Sequence, residues 1–90
     1  MAIDSGPRSR WAVVLDSDES AQVLHVFGDV NPSNATELYS ELMQASVPGK
    51  TIVLDLSECR YVDPMICTTL LRAHEALGSS FRVIAAPSKR

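Results

Sequence analysis

"TIVLDLSECRYVDPMICTTLLRAHEAL", residues 51–77, decides the fold. Its first part, "TIVLDLS" (51–57), is a near-continuous apolar run, the composition of a central strand covered on both faces. "ECRYV" (58–62) leads from that strand to the pair Asp63–Pro64. A carboxylate followed by proline is a helix start: the side chain accepts a free N–H of the first turn, and the ring pre-sets the first helical φ. Ile66, Leu70, Ala73 and Leu77 then recur at helical spacing on one inner stripe, and Gly78 closes the helix. Proline brings neither a hydroxyl nor a backbone N–H, so the junction is well made as a cap and poorly made for chemistry.

The same grammar extends in both directions. "NPSNATELYSELMQAS" (31–46) predicts a helix, capped either by Asn31 with Pro32 at the first helical position or by Asn34 with Glu37 three residues on. Ala35, Leu38, Tyr39, Leu42, Met43 and Ser46 form its inner stripe, with Glu37 and Glu41 outside. "VPGK" (47–50) is a turn with Pro and Gly in the central positions. "WAVVLDS" (11–17) and "AQVLHVFG" (21–28) read as antiparallel neighbouring strands joined through the acidic turn "DSDES" (16–20). In the second of these, Val23, His25 and Phe27 share one face and Leu24 and Val26 the other, so His25 reads as a packed or edge histidine. "FRVIAA" (81–86), closed by Pro87, is the last strand. The predicted fold class is α/β, a small mixed, mostly parallel sheet in the order β-β-α-β-α-β, with right-handed crossovers through both helices. Residues 1–10 read as a flexible arm and 11–90 as a single domain.

With 90 residues the chain holds one core, and 46% apolar with 21% charged residues is a globular composition rather than a disordered one. The net charge of −3, with paired basic residues only near the ends (Arg8/Arg10, Lys89/Arg90), offers no nucleic-acid footprint. No apolar run has membrane-spanning length and "MAIDSGPRSR" lacks the apolar stretch of a signal peptide, so a cytoplasmic location with no membrane partner is expected.

No catalytic constellation is legible. A glycine-rich phosphate loop, HExxH and GxSxG are all missing, and the glycines have turn or cap explanations. Asp55 and Asp63 could form an acid/base pair, but a carboxylate at Asp55 reads more simply as a satisfied polar group. Cys59 and Cys67 read as free, partly buried thiols, with a redox pair as the sharper alternative, and no metal-ligand spacing involves His25 or His74. No cofactor and no metal are predicted, and the chain is not expected to be an enzyme. What stands out is the pair of loops "GDVNPS" (28–33) and "YVDPM" (61–65). Both open helices at the C-terminal ends of parallel strands, where ligands and partners dock in open sheets and where helix dipoles point their positive ends.

In order and spacing, "VLHVFGDVN", "TIVLDLSECRYVDPMICTTLLRAHEAL" and "FRVIAA" resemble the STAS domain, over roughly residues 11–86. That family includes bacterial anti-sigma-factor antagonists and the cytoplasmic tails of sulfate transporters. "GDVN" (28–31) falls where the family has Gly-Glu-Leu-Asp, "VLDLS" (53–57) matches its central strand, and "YVD" (61–63) precedes its Asp-Ser-Ser/Thr-Gly. The resemblance implies a non-catalytic protein-interaction module regulating transcription or signalling, with an anti-sigma factor or related regulatory protein as partner. The implied partner-binding residues are Asn31, Ser33, Asp63, Pro64, Met65, Ile66 and Thr68, with Met65 and Ile66 as an exposed apolar contact at the helix mouth. A homo-oligomer is also open.

Where antagonists carry the phosphorylated serine, this chain has Pro64. Met65 stands at the Ser/Thr position, Ile66 replaces the glycine, and Asn31 replaces the first-loop aspartate. The resemblance thus implies a phospho-switch whose acceptor is gone. It also implies a further helix after residue 86, without which one sheet face is thinly covered unless a second copy covers it. The alternative function is a small-molecule, nucleotide or anion binder at the two helix mouths, against which the scarcity of Arg and Lys there, Arg60 apart, counts.

Overall fold

A computed structural model describes residues 11–84. The arm expected at 1–10, the end of the last expected strand and the basic pairs at the termini lie outside these residues. The order is β1 (Trp11–Ser17), β2 (Ala21–Val30), α1 (Pro32–Ala45), β3 (Thr51–Val62), a 3₁₀ turn (Pro64–Ile66), α2 (Cys67–Leu77), a second 3₁₀ turn (Gly78–Ser80) and β4 (Phe81–Ile84). The sheet runs β1-β2-β3-β4, with β1 antiparallel to β2 and the other two pairs parallel, as the pattern predicts.

Strand order advances steadily from β2 to β4, so two crossovers of the same hand set both helices on one side of the sheet. On that side Leu24, Val26, Ile52, Leu54, Leu56 and Phe81 meet Ala35, Leu38, Leu42, Ala45, Ile66 and Ala73 in one core. Each fully buried leucine contributes about 1.5–3 kcal/mol. Arg72 of α2 lies over the Tyr39 ring of α1, 5.6 Å from its centroid, and joins the two helices at the surface.

The expectation that 51–57 is covered on both faces is overturned. Along β3, Ile52, Leu54 and Leu56 are buried, whereas Thr51, Val53, Asp55 and Ser57 are only half-buried. The strand has a clean period of two because neither helix crosses to the other side.

Both inner strands also run further than their sequence suggests. β3 reaches Val62 by inserting two extra residues against β2, between the pairs His25–Asp55 and Phe27–Glu58 and again between Gly28–Cys59 and Asp29–Tyr61. Each bulge shifts the alternation by one, so after Leu56 the core-facing residues are Cys59 and Val62. Gly28, at φ +93, takes the backbone turn that β2 needs beside the second bulge.

Candidate functional site

Most of the predicted site residues lie at the rim where β2 and β3 end, and Ile66 is the exception. Asn31 is the N-cap of α1, and its side-chain oxygen accepts from the Ser33 N–H at 3.0 Å. The Asn34 side chain accepts from the Asn31 N–H at 3.0 Å in return and donates to the Asp29 carbonyl at 2.9 Å. Of the two sequence alternatives the structure takes Asn31 as the cap; Asn34 does not cap with Glu37 but is the third helical residue of a reciprocal box, in which its buried amide does the work usually given to Glu or Gln.

The second helix starts differently. Asp63 accepts from the Met65 N–H at 2.8 Å, and the Ile66 N–H donates to the Asp63 carbonyl at 3.0 Å, closing a 3₁₀ turn rather than an α-helical one. The α-helix proper begins at Cys67, after Ile66, without a side-chain cap of its own. The Asp63 N–H donates across to the Val30 carbonyl at 2.8 Å, so the two helix starts share one backbone bond. Alongside, Arg60 grips Asp29 with two bonds of 3.2 Å, and the carboxylate holds the guanidinium protonated even more firmly than usual.

This geometry brings Asn31, Ser33, Asp63, Pro64 and Met65 onto one rim, with Thr68 exposed one turn further along. Ile66 does not join them. It is 1% exposed and belongs to the core, whereas Met65 is 71% exposed. The tight 3₁₀ turn makes the difference: at about 120° per residue it turns Ile66 under the helix and swings its neighbour out. The expected apolar contact is therefore Met65, with exposed Tyr61 close by in sequence, which the residue pattern alone did not single out.

A second polar cluster sits on the open sheet face. The His25 Nδ1–H donates to Asp55 at 2.9 Å, and the Ser57 hydroxyl donates to the other oxygen of the same carboxylate at 2.6 Å. His25 Nε2 lies 3.9 Å from Asp16. The Ser57 bond, with further help from its backbone and from His25, holds the Asp55 carboxyl below its ordinary range despite burial. Its contribution to stability is thus present above the ordinary carboxylate range and lost as pH falls through the lowered value. Asp55 stands between Ser57 and His25, so the imidazole does not touch the hydroxyl, which is the reverse of the order that activates a serine. Asp63 lies eight residues further on, just past the end of β3, roughly 25 Å at ~3.3 Å per residue, too far for an acid/base pair with Asp55.

Cys59 and Cys67 are free thiols. Cys59 donates to the Val26 carbonyl at 3.5 Å, and burial together with the Asp55 and Asp29 charges pushes its pKa to about 11, leaving it inert as a nucleophile. Cys67 is exposed rather than partly buried. Among the described residues no group of three or more His, Cys, Asp or Glu could hold a metal, and no helix is long and apolar enough to cross a membrane.

Comparison with known proteins extends this geometry. The family model described as "Mlab, STAS domain" matches residues 13–89. No curated protein matches the chain in sequence. Among solved structures, an anti-sigma factor antagonist from Mycobacterium paratuberculosis is similar with a TM-score of 0.72 and 20% identity, over 84% of this chain and 68% of that one. An antisigma-factor antagonist STAS domain from Rhodobacter sphaeroides has a TM-score of 0.61 at 15% identity, over 82% of this chain and 85% of its own. The anti-sigma factor antagonist SpoIIAA in its unphosphorylated form has 0.57 at 17%, over 86% and 71%. At such identities the structural likeness is one of fold, and it is the family match over nearly the whole chain that carries membership. This chain belongs to the STAS domain family.

Proposed function

We propose that this STAS domain is a non-catalytic module that binds a regulatory protein, an anti-sigma factor or a relative of one, through the rim of Asn31, Ser33, Asp63, Pro64, Met65 and Thr68, without phosphorylation at the α2 start. It acts in the bacterial cytoplasm, in transcription or signalling. The observation that carries this reading is the bond from the Asp63 N–H to the Val30 carbonyl, which joins two loops into one surface with Met65 standing out from it. An exposed methionine at a helix mouth is an adaptable apolar contact. Non-catalytic action is supported by the Ser57–Asp55–His25 order, which leaves the hydroxyl unactivated.

The anion-binding alternative has less behind it. The Ser33 and Met65 N–H groups already bond Asn31 and Asp63, Arg60 is engaged by Asp29, and the Asp63 carboxylate repels an anion from α2.

The test uses the tagged full chain to capture its partner from source cells, then measures the purified partner against variants. Met65→Asp is expected to weaken binding at least tenfold, and Glu41→Ala, on the exposed side of α1, to leave it unchanged. Equal affinity for both variants overturns the rim assignment. Incubation with ATP and a cognate kinase is expected to leave the intact mass unchanged, whereas one phosphate on Ser33, Ser57, Thr68 or Thr69 overturns the loss of the switch. Calorimetric titration with ATP, GTP and phosphate is expected to show no heat of binding.

A further inference from the structure

β1 is an edge strand with seven residues, and no described strand pairs with its outer side. β4, at the other edge, has four described residues. Edges of this kind are guarded in most proteins by lysine, proline, a bulge or a covering segment. "WAVVLDS" has no lysine and no proline, its register against β2 is unbroken, and Val14 and Leu15 are 52% and 48% exposed.

The direction of the free backbone groups follows from the turn. The Asp18 N–H donates to the Ala21 carbonyl, and the Thr51 N–H to the Ser20 carbonyl. Bonded and non-bonded pairs alternate in an antiparallel ladder, so Ala12, Val14 and Asp16 bond inward to β2. Trp11, Val13, Leu15 and Ser17 turn their N–H and C=O groups outward.

We propose that this outer edge is a self-association site, at which a second copy of the chain pairs antiparallel about a two-fold axis at Val14 and fuses two four-stranded sheets into one. A two-fold at the middle residue uses the whole strand. It pairs Val13 with Leu15 and Trp11 with Ser17, all of them residues with outward-facing backbone groups, so the free donors and acceptors meet. On the open face Val14 meets its own copy and Asp16 meets Ala12. The one charge on the strand is thus kept from its like in the other copy, although the chain as a whole carries −3. Apolar pairs fill the centre of the contact, where cross-strand neighbours add most to a sheet.

Two variants and one measurement on the unaltered protein test this. Sedimentation up to about 1 mM, the weak end of specific association, is expected to show a species of twice 9.8 kDa. Val14→Lys places two ammonium groups at the axis and is expected to leave only monomer, and so is Val14→Glu. An equimolar mixture of the two is expected to restore the dimer, because only a two-fold at Val14 sets residue 14 against itself. In the parent, hydrogen exchange is expected to protect the Val13 and Leu15 amides more as concentration rises, with Val14 and Asp16 protected throughout. A parent that stays monomeric overturns the proposal, and so does a dimer that survives Val14→Lys. Protection of Val13 and Leu15 that does not depend on concentration overturns it too, since that would place a segment of the same chain on the edge. Should both variants fail to fold, the exchange pattern of the parent decides.

Discussion

At the start of α1, two asparagines bond each other's backbone and one of them reaches the Asp29 carbonyl, so the helix mouth is closed by a reciprocal pair and tied once to the strand before it. At the start of α2, a single carboxylate holds a 3₁₀ turn and the α-helix begins three residues later with no cap of its own. Both starts are an Asx residue followed by proline. The difference lies in what the third residue after the cap does: Asn34 is a buried polar tie, whereas Ile66 is a buried apolar anchor. One start is held by hydrogen bonds and the other by packing, and the packed one leaves its preceding residue exposed.

Ile66→Ala would strike hardest. It removes buried methylenes from beneath the 3₁₀ turn and is expected to cost about 2–5 kcal/mol in denaturant unfolding. The same change at Met65, one residue earlier, is expected to stay within about 0.5 kcal/mol because the side chain is already in water. Comparable losses at the two positions would mean that the turn does not divide them as described. Asn34→Ala comes next, at about 1–3 kcal/mol, since it leaves the Asn31 N–H and the Asp29 carbonyl without their partner at a buried site. Asp63→Ala, losing one exposed cap, is expected to cost about 1 kcal/mol. If Asp63 proves the costlier of the two, α2 and not α1 is the start held by its polar groups.

These contrasts mark what could be read beforehand. Element order, the centre of both inner stripes, the turn at 47–50 and the glycine end of α2 at φ +69 were legible because each depends on neighbours in sequence, whereas at the ends of α1 buried Asn34 and Ala45 were missed and Ser46 lies just past the helix. Ile66 carried two readings, one on the inner stripe by its spacing and one beside Met65 at the exposed helix mouth by resemblance, and the 3₁₀ start at Pro64 decides for the stripe. The single covered face was hidden by Val53, an apolar residue at a half-open position that made "TIVLDLS" look unbroken. The far end of β3 was hidden by Glu58 and Arg60, whose charges break the apolar run until two bulges are seen to turn them outward. Gln22, buried and donating to the Ala45 carbonyl at 2.9 Å, has no local signal, because its partner comes from the distant end of α1.

Pro64→Ser puts a hydroxyl at the position where the resemblance to anti-sigma-factor antagonists would place a phospho-acceptor. The proline is exposed at the first position of the turn, where its missing N–H is not needed, so the variant is expected to lie within about 1 kcal/mol of the parent in urea. A larger loss would show that proline, rather than Ile66, fixes the 3₁₀ geometry, and would make the second start depend on its backbone.

Met65→Asp carries the smallest expected effect on stability and the sharpest consequence. The side chain is 71% exposed, so replacing it removes almost no packing. A carboxylate in the first turn faces the positive end of the helix dipole, a favourable interaction of about 0.3–1 kcal/mol at low salt. Asp63 stands two residues away with its own charge and opposes part of that gain. The balance is expected to be a few tenths of a kcal/mol in either direction, measurable as an urea midpoint that barely moves while the slope stays the same. Against that unchanged fold, any loss of partner affinity belongs to the surface and not to stability. A midpoint that falls by an amount typical of a core truncation would instead make Met65 a packing residue, and the two helix starts would then be held in the same way.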